Sequence, residues 1–170
     1  DEKKPAADGE ASALTDPVTR MPNRHGITSS LLEFMAHAER YGTPLSIALV
    51  QIQNFRKLGE ALAPRGAEKA VTAMAEVLYD TLRRPDKAGH YGNDEFLVVL
   101  PHTRLKDAGL IAGRIRTNVD KREFGQGTKD AKMSVNSGAV QFRKGEDLEQ
   151  FLSRAEQAKH RHRSTSGRAR

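Results

Sequence analysis

The sequence predicts an α/β sandwich, with a central, mostly antiparallel sheet flanked by helices. Three observations predict it. Segments with apolar residues at helical spacing alternate with apolar runs of strand length. Two of these runs, KAGHY and DEFLVVL, are separated by the turn-forming pair Gly92-Asn93 and read as a hairpin. The order is helix, strand, helix, hairpin, helix, strand, helix, and helices mixed with a hairpin fit such a sandwich.

Residues Asp1–Ala13, rich in Ala, Asp, Glu and Lys without periodic apolar positions, read as a linker. A capping sequence leads into a helix over Ile27–Tyr41, with Ile27, Leu31, Leu32 and Met35 on its inner face. Gly42-Thr43-Pro44 ends it. LSIALVQI (Leu45–Ile52) suits a buried central strand. Ala67–Leu82 reads as a helix with Val71, Met74, Ala75, Val77, Leu78 and Leu82 inward. After the hairpin, closed by Pro101, come an amphipathic helix at Leu105–Val119, an alternating strand at Lys132–Phe142 and a last helix at Leu148–His162. In the hairpin, Gly92-Asn93 is expected as a two-residue turn, because both residues tolerate φ > 0.

The 170 residues fit one domain, and 37% hydrophobic residues suffice for a single core, which the scarcity of aromatics makes aliphatic. The absence of Cys excludes disulfides and thiolate metal sites and favours a reducing compartment. No apolar run approaches the roughly 18 residues of a membrane span, and the N-terminus lacks the apolar stretch of a signal peptide. No membrane contact is expected of these residues. The net charge of +6 sits mostly at one end. Arg154, Lys159, Arg161, Arg163, Arg168 and Arg170 face Glu156 alone, so residues 154–170 carry +5. Nucleic-acid proteins usually spread a basic stripe over the folded surface, so none is expected as partner. A solvated helix terminus favoured by the helix dipole accounts for the cluster, with an anionic ligand or partner as the alternative. His160 and His162, at i and i+2, do not face each other on a helix and make no metal pair.

Six motifs occur in a recognisable order. They are DPVTRMPNR (Asp16–Arg24), QIQNFR (Gln51–Arg56), RRPD (Arg83–Asp86) six residues before Gly92, HYGNDEF (His90–Phe96), MSVNSG (Met133–Gly138), and a weaker C-terminal set of Ala155-Glu156, Arg163 and Gly167-Arg168. Together they resemble the GGDEF family, whose counterparts are DxLTGLPNR, DxDxFK, RxxD, RYGGDEF, TxSxG and AD…AK…GR. The last set here carries one extra residue in its spacing. The resemblance covers about Ala13 to Arg168, which puts the domain at residues 14–168 and leaves Ala169-Arg170 as the end of a basic tail. It implies the nucleotidyl-cyclase-like (ferredoxin-like palm) sandwich. It also implies a bacterial, cytoplasmic setting, as part of a larger protein.

The family makes cyclic di-GMP from two GTP molecules with two metal ions. Mg²⁺ requires hard oxygen ligands, preferably carboxylates. The resemblance places these at Gln51, where the family has the first Asp of DxD, and at Asp94, the third residue of the signature. Gln53 replaces the second Asp. Two formal charges are gone, which leaves Asp94 a weak metal candidate and Asp94 with Glu95 the remnants of a catalytic site. The guanine-reading positions are Gly59, where the family has Asn, and Glu68, where it has Asp. The loss of one base-edge hydrogen bond costs about 1–3 kcal/mol. Arg56 replaces a phosphate-facing Lys, keeping charge but not shape. Gly92 remains, whereas Asn93 stands where a second Gly would let nucleotide approach the backbone. For Asn93, a plain turn without ligand is the competing account.

RxxD is intact. In the family this motif is the inhibitory site, which binds cyclic di-GMP as a stacked dimer. Arg83 presents a fork that can bond guanine O6 and N7 together, and Asp86 can accept from the guanine N–H edge. A three-residue spacing at a helix end is expected to turn both one way. Arg114 matches the family's second contributing Arg. Three readings follow. The first is an inactive GGDEF domain that receives cyclic di-GMP through Arg83, Asp86 and Arg114 and requires no cofactor. The second is a compensated cyclase using Mg²⁺. The third is a scaffold for homodimerisation or for a partner protein that binds no nucleotide.

Overall fold

The computed structural model describes residues 13–125, 127–128 and 131–166, with only the backbone described for 163–166. The expected linker therefore lies outside the described residues except for Ala13, as do Gly167, Arg168 and the tail end. The elements, in chain order, are α1 (Arg24–Tyr41), β1 (Leu45–Ile52), α2 (Phe55–Ala61), α3 (Gly66–Thr81), β2 (Lys87–His90), β3 (Glu95–Pro101), α4 (Leu105–Asp120), β4 (Val135–Gln141) and α5 (Leu148–Ser166).

The four strands form one sheet in the order β2-β3-β1-β4, antiparallel at every step. β1 is central, as its near-continuous apolar run implies. Its alternate residues feed two cores. Leu45, Ile47 and Leu49 pack with Leu97, Val99 and Val140 beneath α1 and α5. Ala48, Val50 and Ile52 pack with Phe96, Val98 and Leu100 beneath α3 and α4, with Leu58 of α2. The period-2 geometry of the strand makes the sheet the middle layer of a three-layer sandwich.

α1 begins where the Asn23 side chain accepts the Gly26 N–H at 2.9 Å, and ends at Gly42 in the left-handed region. Its inner face carries Ile27, Leu31 and Met35 as expected, but Leu32 points outward, 49% exposed. It sits one position off the stripe the helix buries. The short α2 was not expected. It follows Asn54, itself left-handed with φ 50, and buries only Leu58, too little to make a periodic pattern.

The hairpin differs from the expected two-residue turn. Neither Gly92 nor Asn93 has a positive φ. The last paired residues are His90 and Phe96, and the Tyr91 and Gly92 N–H groups both donate to the Glu95 carbonyl, at 2.8 and 3.0 Å. The connection is a wider loop over Gly92–Asp94. Among the described residues, no helix is long and apolar enough to cross a membrane.

Candidate functional site

The signature loop is held from below by the first motif. Asp16 accepts from the Thr19 N–H at 2.8 Å and the Thr19 hydroxyl at 2.7 Å. Burial pushes its carboxyl up, but these bonds and neighbouring His90 outweigh that and hold it below the ordinary range. His90 spans from the Asp16 carboxylate, 3.4 Å from Nδ1, to the Asn93 carbonyl, 3.1 Å from Nε2. His90 is thus more than a plain strand residue. Arg24 stacks over the Tyr91 ring at 4.3 Å.

The strand register brings the signature and the QIQNFR motif together. Gln51 of β1 lies opposite Glu95 of β3 on one side and Asn136 of β4 on the other. This row faces α5. Asp94, next to it, accepts from the Gln51 carboxamide at 3.2 and 3.4 Å. Gln53 accepts from the Ser134 hydroxyl at 3.1 Å. Gln51, Gln53, Asn54, Phe55, Asp94 and Asn136 line a cavity of about 240 Å³. Among the described residues, no three His, Cys, Asp or Glu side chains come together as a metal-binding group.

Glu95 is engaged elsewhere. It pairs with Lys159 of α5, whose side chain is 3% exposed and also meets Glu156 at 2.9 Å. Burial lowers the affinity of this amine for its proton, but the two carboxylates outweigh that and raise it above the ordinary lysine value. Two features let Lys159 reach so deep. Asn136 donates to the Lys159 carbonyl at 2.9 Å. Gly138 lets the helix backbone lie on the strand, since a Cβ there would sit 2.1 Å from the Lys159 nitrogen. Sequence reading grouped Lys159 with the basic tail. Only its helical phase, four residues after the buried Ala155, signalled that it turns inward.

The other nucleotide-site positions are dispersed. Arg56 pairs with Glu60 at 3.3 Å on the exposed face of α2. Glu68, in the first turn of α3, pairs with Arg65 at 2.7 Å. Gly59 packs against the start of α3, where Gly66 comes so close that a Cβ on it would lie 1.8 Å from the Gly59 carbonyl oxygen. Gly92 sits in the signature loop, with room for a Cβ at 3.5 Å from that of Glu95.

The RxxD motif lies just past α3, in a turn closed by the Asp86 N–H on the Arg83 carbonyl at 3.0 Å, rather than on the helix end. Its two side chains do not turn outward together; they face each other. Asp86 accepts from Arg83 Nε (3.1 Å), Arg83 Nη2 (2.9 Å) and the Arg83 N–H (2.9 Å), and its side chain is 0% exposed. A buried carboxylate must be paired with donors, and here the motif's own arginine supplies them. The Arg83 side chain remains 47% exposed. Its Nη2 also donates to the Thr103 hydroxyl at 2.8 Å. α4 runs back along α3, because Asn118 bonds Thr81 and Arg122 bonds Glu76. Exposed Arg114 stands one helical turn before Asn118 on α4.

Comparison with known proteins agrees with this architecture. Residues 13–168 match the family described as Diguanylate cyclase, GGDEF domain. The chain is 28% identical over 144 residues to the diguanylate cyclase DosC of Escherichia coli (strain K12), covering 84% of this chain and 31% of DosC. It is 30% identical over 148 residues to the response regulator PleD of Caulobacter vibrioides (strain NA1000 / CB15N), covering 85% of this chain and 33% of PleD. It thus spans about a third of these relatives' length. The structure of the diguanylate cyclase SiaD in complex with its activator SiaC, from Pseudomonas aeruginosa, superposes with a TM-score of 0.85 at 26% identity, covering 93% of this chain and 61% of SiaD. The GGDEF domain of DgcB from Caulobacter crescentus, in complex with c-di-GMP, gives 0.84 at 22% identity, covering 98% and 94%. The sheet order, the loop held under His90 and the match across residues 13–168 lead to one conclusion: the chain belongs to the GGDEF family of diguanylate cyclase-like domains.

Proposed function

We propose that this domain does not make cyclic di-GMP but receives it, at the surface formed by Arg83 and Arg114, and so acts as a regulatory module. The observation that carries the reading is where the charges sit. Both signature carboxylates are satisfied by nitrogen donors of the protein, Asp94 by the Gln51 amide and Glu95 by the Lys159 ammonium. The polar side chains at the cavity are one carboxylate (Asp94) and four carboxamides (Gln51, Gln53, Asn54 and Asn136). Hard divalent cations are bound chiefly through carboxylates, so this set does not fit a two-metal centre. Arg83, by contrast, is held at the surface by a buried carboxylate, and Arg114 is exposed on α4, which runs back along α3. Asp86 then acts as the residue that orients Arg83 rather than as a contact to the base. The GGDEF domain of DgcB, of similar fold, was crystallised with c-di-GMP, which makes that ligand the first to try. No metal cofactor is required in this reading, and the setting is the bacterial cytoplasm.

Titration calorimetry with cyclic di-GMP tests the reading. Wild type should release heat, and Arg83→Ala and Arg114→Ala should each weaken binding by about tenfold or more, as expected for charge-assisted bonds. Absence of heat from folded wild type sinks it. Incubation with GTP and Mg²⁺ or Mn²⁺ should yield no cyclic di-GMP at high protein concentration. Any turnover abolished by Asp94→Asn would favour the cyclase reading instead.

A further inference from the structure

Thr103 has no assigned role, yet it competes for the arginine on which the proposed site depends. Arg83 has five N–H donors. Nε and one hydrogen of Nη2 are committed to Asp86, at 3.1 and 2.9 Å. The second hydrogen of Nη2 goes to Thr103 Oγ1 at 2.8 Å. Among the described residues, only Nη1 meets no acceptor and keeps both of its hydrogens. A guanidinium can grip two acceptors along its side, through Nε and one terminal nitrogen, or at its end, through one N–H from each terminal nitrogen. Asp86 occupies the side. Thr103 occupies half of the end. A guanine presenting O6 and N7 needs a complete pair.

Thr103 is not free to step aside. It is 1% exposed. Its hydroxyl donates to the Pro101 carbonyl at 2.8 Å, its carbonyl accepts from Ser46 at 2.7 Å, and its N–H donates to the Pro44 carbonyl at 3.1 Å. The residue before it, His102, turns the chain with a positive φ of 50. The hydroxyl is therefore a fixed acceptor built into the β3–α4 connection. Asp86 is equally fixed, and it bonds the Arg83 backbone as well as its side chain.

We infer that Thr103 is a latch that sets the affinity of the RxxD surface: a guanine base must take Arg83 Nη2 away from the threonine hydroxyl before it can be read by the full fork. This rests on the receptor reading above. It makes Thr103 an affinity-determining residue that the ligand need never touch. Asp86 and Thr103, both bonded to Arg83, act in opposite senses. Asp86 keeps the guanidinium at the surface, and Thr103 keeps half of its end occupied.

The test is cyclic di-GMP titration of wild type, Thr103→Val and Thr103→Ser, with thermal unfolding as the check on folding. Valine keeps the shape and removes the acceptor. The bond from Oγ1 to Pro101 is lost in both free and bound states and cancels in the comparison. Thr103→Val should bind about tenfold more tightly, since the displaced bond is charge-assisted, and Thr103→Ser should bind as wild type does. If valine destabilises the fold, Thr103→Ala, which is smaller, should show the same gain. Equal or weaker binding by folded Thr103→Val or Thr103→Ala, with wild type still binding, overturns the latch and leaves the receptor reading standing. Silence from every folded variant overturns the receptor reading and the latch with it.

Discussion

Replacing Lys159 by Met removes the one ammonium that α5 buries against the signature strand. Methionine fills nearly the same stem volume, so the change isolates the charge. The Lys159 side chain is 3% exposed, and its partners Glu95 and Glu156 are 15% and 43% exposed. Glu156 can return to water at little cost. Glu95 cannot fully do so, because it sits in the sheet opposite Gln51. Breaking a buried pair from one side costs about 3–5 kcal/mol. The residual exposure of Glu95 puts the expected loss at the lower end, about 3 kcal/mol, or a Tm fall of about 6–12 °C for a domain of this size. Urea unfolding of wild type, Lys159→Met, Glu95→Gln and the double variant forms a complete cycle. The double variant should recover at least about half of the single loss, because the stranded charge is gone. A Lys159→Met loss below about 1 kcal/mol, or a double variant no more stable than the single, refutes the claim that the pair is a buried, mutually dependent unit.

Gly138→Ala should destabilise strongly, by about 2 kcal/mol or more, because its Cβ would lie 2.1 Å from backbone nitrogen that cannot yield; a change within about 0.5 kcal/mol would show that α5 can lift from the strand. Gly59→Asn should be nearly neutral in urea unfolding, since a Cβ there meets nothing nearer than 3.5 Å; a loss above about 2 kcal/mol would contradict that clearance. Asp16 and Glu146 have carboxyls held below their ordinary values of 3.8 and 4.5; burial opposes this, but donation from Thr19 and from Arg154 outweighs it. The stability they add is therefore present at neutral pH and is lost as pH falls below those values through the folded ones. The urea midpoint should drop as pH falls below about 5 and go on dropping below the ordinary carboxyl values, and less steeply in Glu146→Gln, which a parallel slope would disprove. Gln51→Asp removes the donor to Asp94 and sets a like charge beside it, so it should lower Tm in EDTA and regain part of the loss in Mn²⁺; the same Tm in both buffers would count against the cavity as a former cation site.

Much of the fold was legible because the central strand carries a near-continuous apolar run and the four long helices carry periodic apolar patterns, both of which burial enforces. β1 spans Leu45–Ile52 as its apolar run implied. What escaped was set by single residues in unusual conformations or by distant packing. α2 is short, follows a left-handed Asn54 and buries one leucine, so it has no stripe to read. Gly92-Asn93 has turn chemistry, but the Asp16–His90–Asn93 chain of contacts holds the loop in a wider form without positive φ. At the candidate site, residue identities were legible and their partners were not. Gln51 and Asp94 are 43 positions apart and meet only through the β1–β3 register. Lys159 reads as one more cation in a basic run until Gly138, on another element, lets the helix down onto the sheet.

In the receptor reading proposed above, these contacts bear on how a GGDEF domain does without a cation and keeps its fold. A carboxylate next to a sheet that loses its counter-ion must find another donor, protonate or move into water. Asp94 and Glu95 lie at the start of β3, where backbone pairing fixes both. Of those routes, the structure displays the donor. A carboxamide at 51 serves Asp94, and an ammonium from α5 serves Glu95. Each replacement is uncharged or singly charged, and each is anchored in an element that the fold needs anyway. The pairing then works in both directions. It satisfies the carboxylates at the sheet end, and it ties both acidic side chains to protein donors that a cation would have to displace. The acidic pair of the signature is thereby part of the packing between β1, β3 and α5, whereas Arg83, at the far end of the β2–β3 hairpin from the signature loop, keeps two N–H groups without an acceptor among the described residues.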